Sequence, residues 1–233
     1  MIHKPYKLLV LLAILCATFL HLSLLFQSDL VAIRTIYVSA TIFVYPFTCI
    51  TLDIIAEVYG YRFAKQTLWA TVVANLIFGL LAALSAKLPS PSFWTHYDKA
   101  YDYAMSPMFR TVFVGLGSII IGQFINIYII TKLRVLIQGR FFALRSIASS
   151  MVGDTLTVVI ALTLNFLARM PAGNIATIIV SELLFMYTFA ILLSLPANML
   201  THWLKKSEPA LTGVDFNPFI KRASEQKCSS TEG

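Results

Sequence analysis

An all-α integral membrane bundle of six transmembrane helices is the fold the sequence predicts, and three observations predict it. Hydrophobic residues make up 58% of the 233 residues and charged ones only 12%, about half the charged share of a soluble domain. The mean hydropathy of +0.78 is spread along almost the whole chain, which excludes both a water-soluble globule and a single removable leader. Six apolar runs, near residues 8–26, 34–55, 67–87, 108–130, 148–168 and 176–200, each reach the roughly 20 residues that a helix needs to cross about 30 Å of hydrocarbon.

The first run follows Lys4 and Lys7. It is too long for the apolar core of a signal peptide, has no small-x-small site near Phe26, and carries bulky Leu15 where a lipidated Cys16 would need a small residue. It is therefore expected to stay as a membrane anchor. The second and sixth runs each hold a proline, Pro46 and Pro196, which can break a helix near a binding site. Between the third and fourth runs, Leu88 to Pro107 carries Trp94, Tyr97, Tyr101 and Tyr103, a composition suited to the headgroup level of a bilayer or to a lid over a substrate mouth. Residues 1–206 are expected to form the membrane domain. Residues 207–233, with Pro209, Gly213 and Pro218, are expected to form a polar, disordered tail.

Eighteen Lys+Arg against eleven Asp+Glu leave a net charge of +7, and in a membrane protein such an excess records orientation. With six spans both termini lie on one side. Thirteen basic residues fall on that side, among them Lys4, Arg62, Lys65, Lys132, Arg134, Arg140, Arg145 and Lys205, against Arg34, Lys87, Lys99, Arg110 and Arg169 on the other. The expectation is a multi-pass protein of the cell inner (plasma) membrane with cytoplasmic termini. The basic balance then needs no direct nucleic-acid partner.

Ionisable groups inside a span cost several kcal/mol unless paired or hydrated, so each marks a question about function. Asp53, Glu57 and Gly60 are spaced by four and seven to share one helical face with Pro46 upstream. Two carboxylates on one stripe can accept several N–H bonds; alternatively Glu57 reaches headgroups beside Arg62 and Lys65. Gln123 and Asn126, three apart, are adjacent on the fourth helix. Amides match the donor and acceptor edge of a nucleobase, and also serve as glue between membrane helices. In the fifth run Arg145 precedes Ser149, Ser150, Gly153 and Asp154; Ser150 and Asp154 share a face, and Gly153 admits a neighbouring backbone. Glu182 in the sixth run, followed by Phe185, Met186 and Phe189, is expected nearer the outer end, lining a way in or pairing with Arg110 or Arg169. Asp53, Gln123, Asn126 and Asp154 are expected at one depth, as one cluster. His21 reads as a hydrogen-bonded packing residue.

Cys16, Cys49 and Cys228, and His3, His21, His96 and His202, have no spacing that suggests a disulfide or metal site. No nucleophile elbow or glycine-rich phosphate loop appears. Without a nucleophile, buried carboxylates and amides fit reversible binding of a small polar solute. Transport, with no enzymatic activity, metal or cofactor, is the class expected; a membrane enzyme or scaffold without a translocated solute is the alternative from another class.

Tyr45-Pro46-Phe47, then Asp53 through Glu57-Val-Tyr59-Gly60, then Ala64-Lys65, together with Gln123-Phe-Ile-Asn126, Lys132-Leu-Arg134, Arg145, Ser149 and Gly153-Asp154-Thr155, resemble the bacterial queuosine precursor transporter family, also described as vitamin uptake transporters. The resemblance covers about residues 35–205. It implies six helices like those of the substrate-binding components of energy-coupling-factor transporters, and import of a deazaguanine base for queuosine salvage into transfer RNA. The motif match carries substrate-site candidacy to Asp53, Glu57, Gln123, Arg145 and Asp154, beside Asn126 and Glu182. Asp53 or Asp154 would accept the paired N–H donors of the base, and Gln123 or Asn126 would donate to its O6. The implied partners are a small-molecule heteroaromatic base and the lipid bilayer. Nothing in the chain resembles an ATPase, so a separate energising module would belong to the alternative reading, a substrate-binding component for another vitamin-like heterocycle. The pattern departs from the family at Asn126, where an acidic residue is common, and near Met186, where a lysine is common. Losing an acid and a base together would keep a buried pair balanced.

Overall fold

The computed structural model describes residues 7–27, 29–33, 36–89, 91, 93, 95–106, 108–136, 142–167 and 169–207. The expectations placed on Lys4, Arg34, Trp94, Arg140 and residues 208–233 fall outside this set. Among the described residues seven α-helices follow in order: α1 Lys7–Phe26, α2 Tyr45–Val58, α3 Tyr61–Ser85, α4 Thr95–Met105, α5 Met108–Leu136, α6 Phe142–Phe166 and α7 Ala172–Ser207. Two short strands, β1 Leu30–Ile33 and β2 Ile36–Ser39, and a 3-10 turn, Ala40–Phe43, join α1 to α2. The fold is the expected helical membrane bundle. Among the described residues five helices, α1, α3, α5, α6 and α7, are long and apolar enough to cross a bilayer. Their outward faces are apolar, with Ile14, Ile77, Leu81, Leu184, Ile191 and Leu195 all exposed. Such faces belong in lipid rather than water, and the protein is a multi-pass membrane protein.

The second apolar run, near 34–55, is not one full-length helix. Its first part pairs as an antiparallel hairpin in the register Leu30↔Ser39 to Ile33↔Ile36. Val31, Ile33, Ile36 and Val38 are β-branched and favour extended backbone, a preference that summed hydropathy does not register. Only from Tyr45 does the run become helical. At 14 residues α2 is about 21 Å long, short of the hydrocarbon thickness. Pro46 starts this helix instead of breaking it: it sits in the first turn, where its missing N–H has no helical partner to lose. Pro196 likewise leaves α7 continuous.

α2 is the centre of the bundle. Twelve of its residues are buried, and it packs against α1, α3, α5, α6 and α7. It ends at Val58, so Gly60 lies beyond the stripe expected for it. Gly60 instead caps α3 with φ of 90°, a left-handed conformation that glycine adopts without a Cβ penalty, and this lets α3 begin at Tyr61.

The largest interface between helices joins α5 and α6. Gly122 and Gly153 lie against each other there. A Cβ on Gly153 would come 2.5 Å from the Gly122 carbonyl and 2.8 Å from Asn126 Cβ, and one on Gly122 would collide with Thr157 and the Gly153 carbonyl. The missing side chains set the helix separation that brings Gln123 and Asn126 beside Ser150 and Asp154. His21 packs as expected, bonded through Nδ1 to the Ala17 carbonyl at 2.7 Å and edge-on to Phe78 at 5.1 Å.

Candidate functional site

Four of the expected residues form one hydrogen-bonded network across α2, α5 and α6. Asp53 is fully buried. Its Oδ1 accepts from Asn126 Nδ2 at 2.8 Å, while Oδ2 accepts from Ser150 Oγ at 3.4 Å and, more closely, from Ser146 Oγ. The Asn126 amide nitrogen also reaches Gln123 Oε1 at 3.4 Å. Gln123 Nε2 in turn has three acceptors within reach: the Tyr45 hydroxyl at 3.0 Å, Asp154 Oδ1 at 3.1 Å and Cys49 Sγ at 3.3 Å. Cys49 completes the circuit by donating to Asp154 Oδ1 at 3.4 Å.

The two aspartates differ in what remains free. Both Asp53 oxygens are engaged by neutral donors. Asp154 uses one oxygen, and among the described residues Oδ2 takes no hydrogen bond. Asp154 also borders a pocket between α2, α6 and α7, with Cys49, Ser146, Ser150 and Met186; Asp53 does not line it. A carboxylate with unused acceptor capacity at a cavity wall can bind N–H donors, whereas one saturated by protein donors mainly ties helices together.

Glu57 and Arg145 are brought together one turn further along α2, in an arrangement of a different kind. Glu57 is 1% exposed and meets three cations from three helices. Arg145 Nη1 of α6 lies 3.0 Å from Oε2, Lys205 Nζ of α7 lies 2.6 Å from Oε1, and Arg134 Nη1 of α5 lies 3.9 Å from Oε2. Arg134 also donates to the Glu57 backbone carbonyl. Arg145 is buried, whereas Lys205 is about a third exposed. This is an ionic knot at one end of the bundle, pairing Glu57 with protein cations rather than with headgroups near Arg62 and Lys65.

Glu182 stands apart from both groups and pairs with neither arginine proposed for it. Its Oε2 accepts the backbone N–H of Ser39, at the end of β2, at 2.9 Å, while Arg110 donates to the Leu164 carbonyl at 3.3 Å. Glu182 lines a second cavity with Gln27, Ser39, Tyr45 and Thr157. Along α6 the lining passes from Ser146, Ser150 and Asp154 in one cavity to Thr157, Val158 and Ala161 in the other. Tyr45, Gln123 and Asp154 lie between the two.

Several members of these groups carried no functional signal in the sequence. Ser146 is four residues before Ser150 and eight before Asp154, and that helical spacing marks it in hindsight. Arg134 was legible as part of the Lys132-Leu-Arg134 motif and as a charge that sets orientation, Lys205 only as such a charge, and neither as a partner of Glu57. Gln27 and Tyr45 gave no signal as cavity-lining groups. Among the described residues no three His, Cys, Asp or Glu side chains gather in a group that could hold a metal ion.

A family model described as "putative vitamin uptake transporter" matches residues 39–201, a stretch that starts at the end of β2 and holds Asp53, Glu57, Gln123, Asn126, Arg145, Asp154 and Glu182. No curated protein and no solved structure matches the chain.

Proposed function

The chain belongs to the vitamin uptake transporter family, and we propose that within it the chain imports deazaguanine bases, the precursors of queuosine, across the cell inner membrane for transfer-RNA salvage. The observation that carries this reading is the free Oδ2 of Asp154 at the wall of the pocket between α2, α6 and α7, with Gln123 bonded to the other oxygen. A guanine-like edge presents an N1–H and an exocyclic amine side by side, and a carboxylate accepts such a pair. An N–H of the Gln123 amide is the donor that its carbonyl requires, while Ser146 and Ser150, whose protons are held by Asp53, offer hydroxyl oxygens as acceptors. Asp53, Asn126 and the Glu57–Arg145 pair position these groups from behind.

Stripping a base of water forfeits several hydrogen bonds, so passage requires a site whose polar groups replace them. Reversible binding here, with alternating access or facilitated passage, fits a chain in which no nucleophile is visible and no enzymatic step is needed. The basic side chains support an orientation with both termini cytoplasmic, so that Ser146 and Glu57 lie toward the cytoplasm and Glu182 toward the outside. The bilayer and the small heteroaromatic base are the partners in this scheme, and no nucleic acid is bound directly.

Complementation tests the proposal. Bacteria that can neither synthesise nor import deazaguanines are fed one base at a time at nanomolar levels, and queuosine is scored in transfer RNA on a boronate gel. Rescue by the cyano or aminomethyl precursor, or by queuine, is the expected result and identifies the cargo. If the protein reaches the membrane and no base rescues, the cargo is another vitamin-like heterocycle or a separate energising module is required.

A further inference from the structure

Gln27 and Glu182 lie outside the Asp53–Asp154 network, and the cavity they line holds polar capacity that the fold does not use. Most of its other polar lining is already bonded: Ser23 donates to the Leu20 carbonyl at 2.9 Å, Thr41 to the Ser23 carbonyl at 2.9 Å and Thr157 to the Gly153 carbonyl at 3.1 Å. Two groups differ. Glu182, 4% exposed, accepts one N–H through Oε2, and among the described residues Oε1 accepts none. Gln27, 6% exposed, finds no hydrogen-bond partner for its Oε1 among the described residues. Its amide reaches across to Gly115 of α5, which lines the same cavity. A buried amide oxygen without a partner is costly to a fold, and here it lines the same pocket as a half-used carboxylate.

We propose that this cavity is a second binding site, which takes a flat heterocyclic solute by its N–H edge between Glu182 and Gln27 and buries its ring against Leu24, Ile119 and Val158. The carboxylate accepts an N–H, and the amide both donates and accepts, so the pair matches an edge that mixes donors with a carbonyl or ring nitrogen. The walls are mostly apolar, as a planar ring requires. Tyr45 joins this site to the first: it lines the cavity, and its hydroxyl accepts from the same Gln123 nitrogen that donates to Asp154. The two sites are stacked along α6, since Thr157 and Val158 follow Asp154 by about one turn. The identity of the solute rests on the transport reading above. With that cargo, the base occupies the Glu182 site before or after the Asp154 site, and movement past Tyr45 and Gln123 connects them.

Equilibrium dialysis of the purified full chain in lipid nanodiscs against radiolabelled 7-cyano-7-deazaguanine tests this. Two molecules bound per chain at saturation are expected. Glu182→Gln and Gln27→Leu should each weaken one of the two sites at least tenfold and leave the other unchanged, while Asp154→Asn should do the reverse. Glu182→Gln keeps an oxygen for the Ser39 N–H, and Gln27→Leu removes no hydrogen bond at Oε1, so both variants should unfold near the wild-type temperature. One molecule bound, lost in Asp154→Asn and retained in the other two variants, overturns the second site and leaves the transport reading standing. No binding by the wild-type chain overturns the deazaguanine reading and this site with it.

Discussion

Asp53 and Glu57 lie one helical turn apart on α2, both with buried carboxylates, yet their surroundings differ in kind. Asp53 is held by an amide and two serine hydroxyls, whereas Glu57 is held by two arginines and a lysine. Neutral donors can exchange roles with a neutral side chain, because hydroxyls and amides turn from donor to acceptor. Cations cannot. Removing one partner of a buried ion pair leaves an uncompensated charge, and the penalty is far larger than the worth of the pair itself. The comparison assigns Glu57 to holding α5, α6 and α7 together at one end, and gives the hydrogen-bonded network beside it no cation to lock it.

The strongest way to break that contrast is to neutralise each acid in turn. Glu57→Ala is expected to cost about 3–5 kcal/mol, seen as loss of folded protein from the membrane and as a lower unfolding temperature in detergent. Combining it with Arg145→Met should recover part of the loss, because the buried cation then disappears as well. Asp53→Asn should cost only about 1 kcal/mol, with the protein still reaching the membrane. Equal damage from the two single substitutions would erase the distinction between knot and network.

A smaller effect is expected where the network depends on helix spacing. Gly122→Ala forces a methyl group into Thr157 and the Gly153 carbonyl, and overpacking of this kind typically costs about 1–3 kcal/mol. Thermal unfolding would measure the cost. Solute binding should fall as well, since α5 carries Gln123 and α6 carries Asp154. Weakest of all is Lys205→Met. Lys205 is partly exposed at the end of α7, so its bond to Glu57 is worth under about 1 kcal/mol, and its removal should leave both folding and transport nearly intact.

The contrast between Asp53 and Glu57 also marks how far the sequence could be read. Apolar runs located the long helices because a bilayer imposes length and hydropathy on them, and the polar residues within those runs located the network because each one needs a partner. Asp53, Gln123, Asn126 and Asp154 were legible as a cluster for that reason. The partners of Glu57 were not, since Arg134 and Lys205 reach it from helices 77 and 148 residues away and their charge is equally explained by orientation. The hairpin before α2 was hidden because hydropathy sums make no distinction between an apolar strand and an apolar helix. Which aspartate faces a cavity was also beyond reach: that depends on Ser146 and Ser150 saturating Asp53 and leaving Asp154 half free.

The claim that Asp154 meets the cargo is tested most directly by counterflow. Proteoliposomes loaded with unlabelled 7-cyano-7-deazaguanine are diluted into the radiolabelled base, so that exchange needs no energising module. The wild-type chain should accumulate label transiently. Asp154→Asn, incorporated at equal levels and with an unchanged unfolding temperature, should exchange at least tenfold more slowly, as expected for losing a hydrogen bond to a charged group worth about 1.5–3 kcal/mol. Undiminished exchange by that variant would contradict the account.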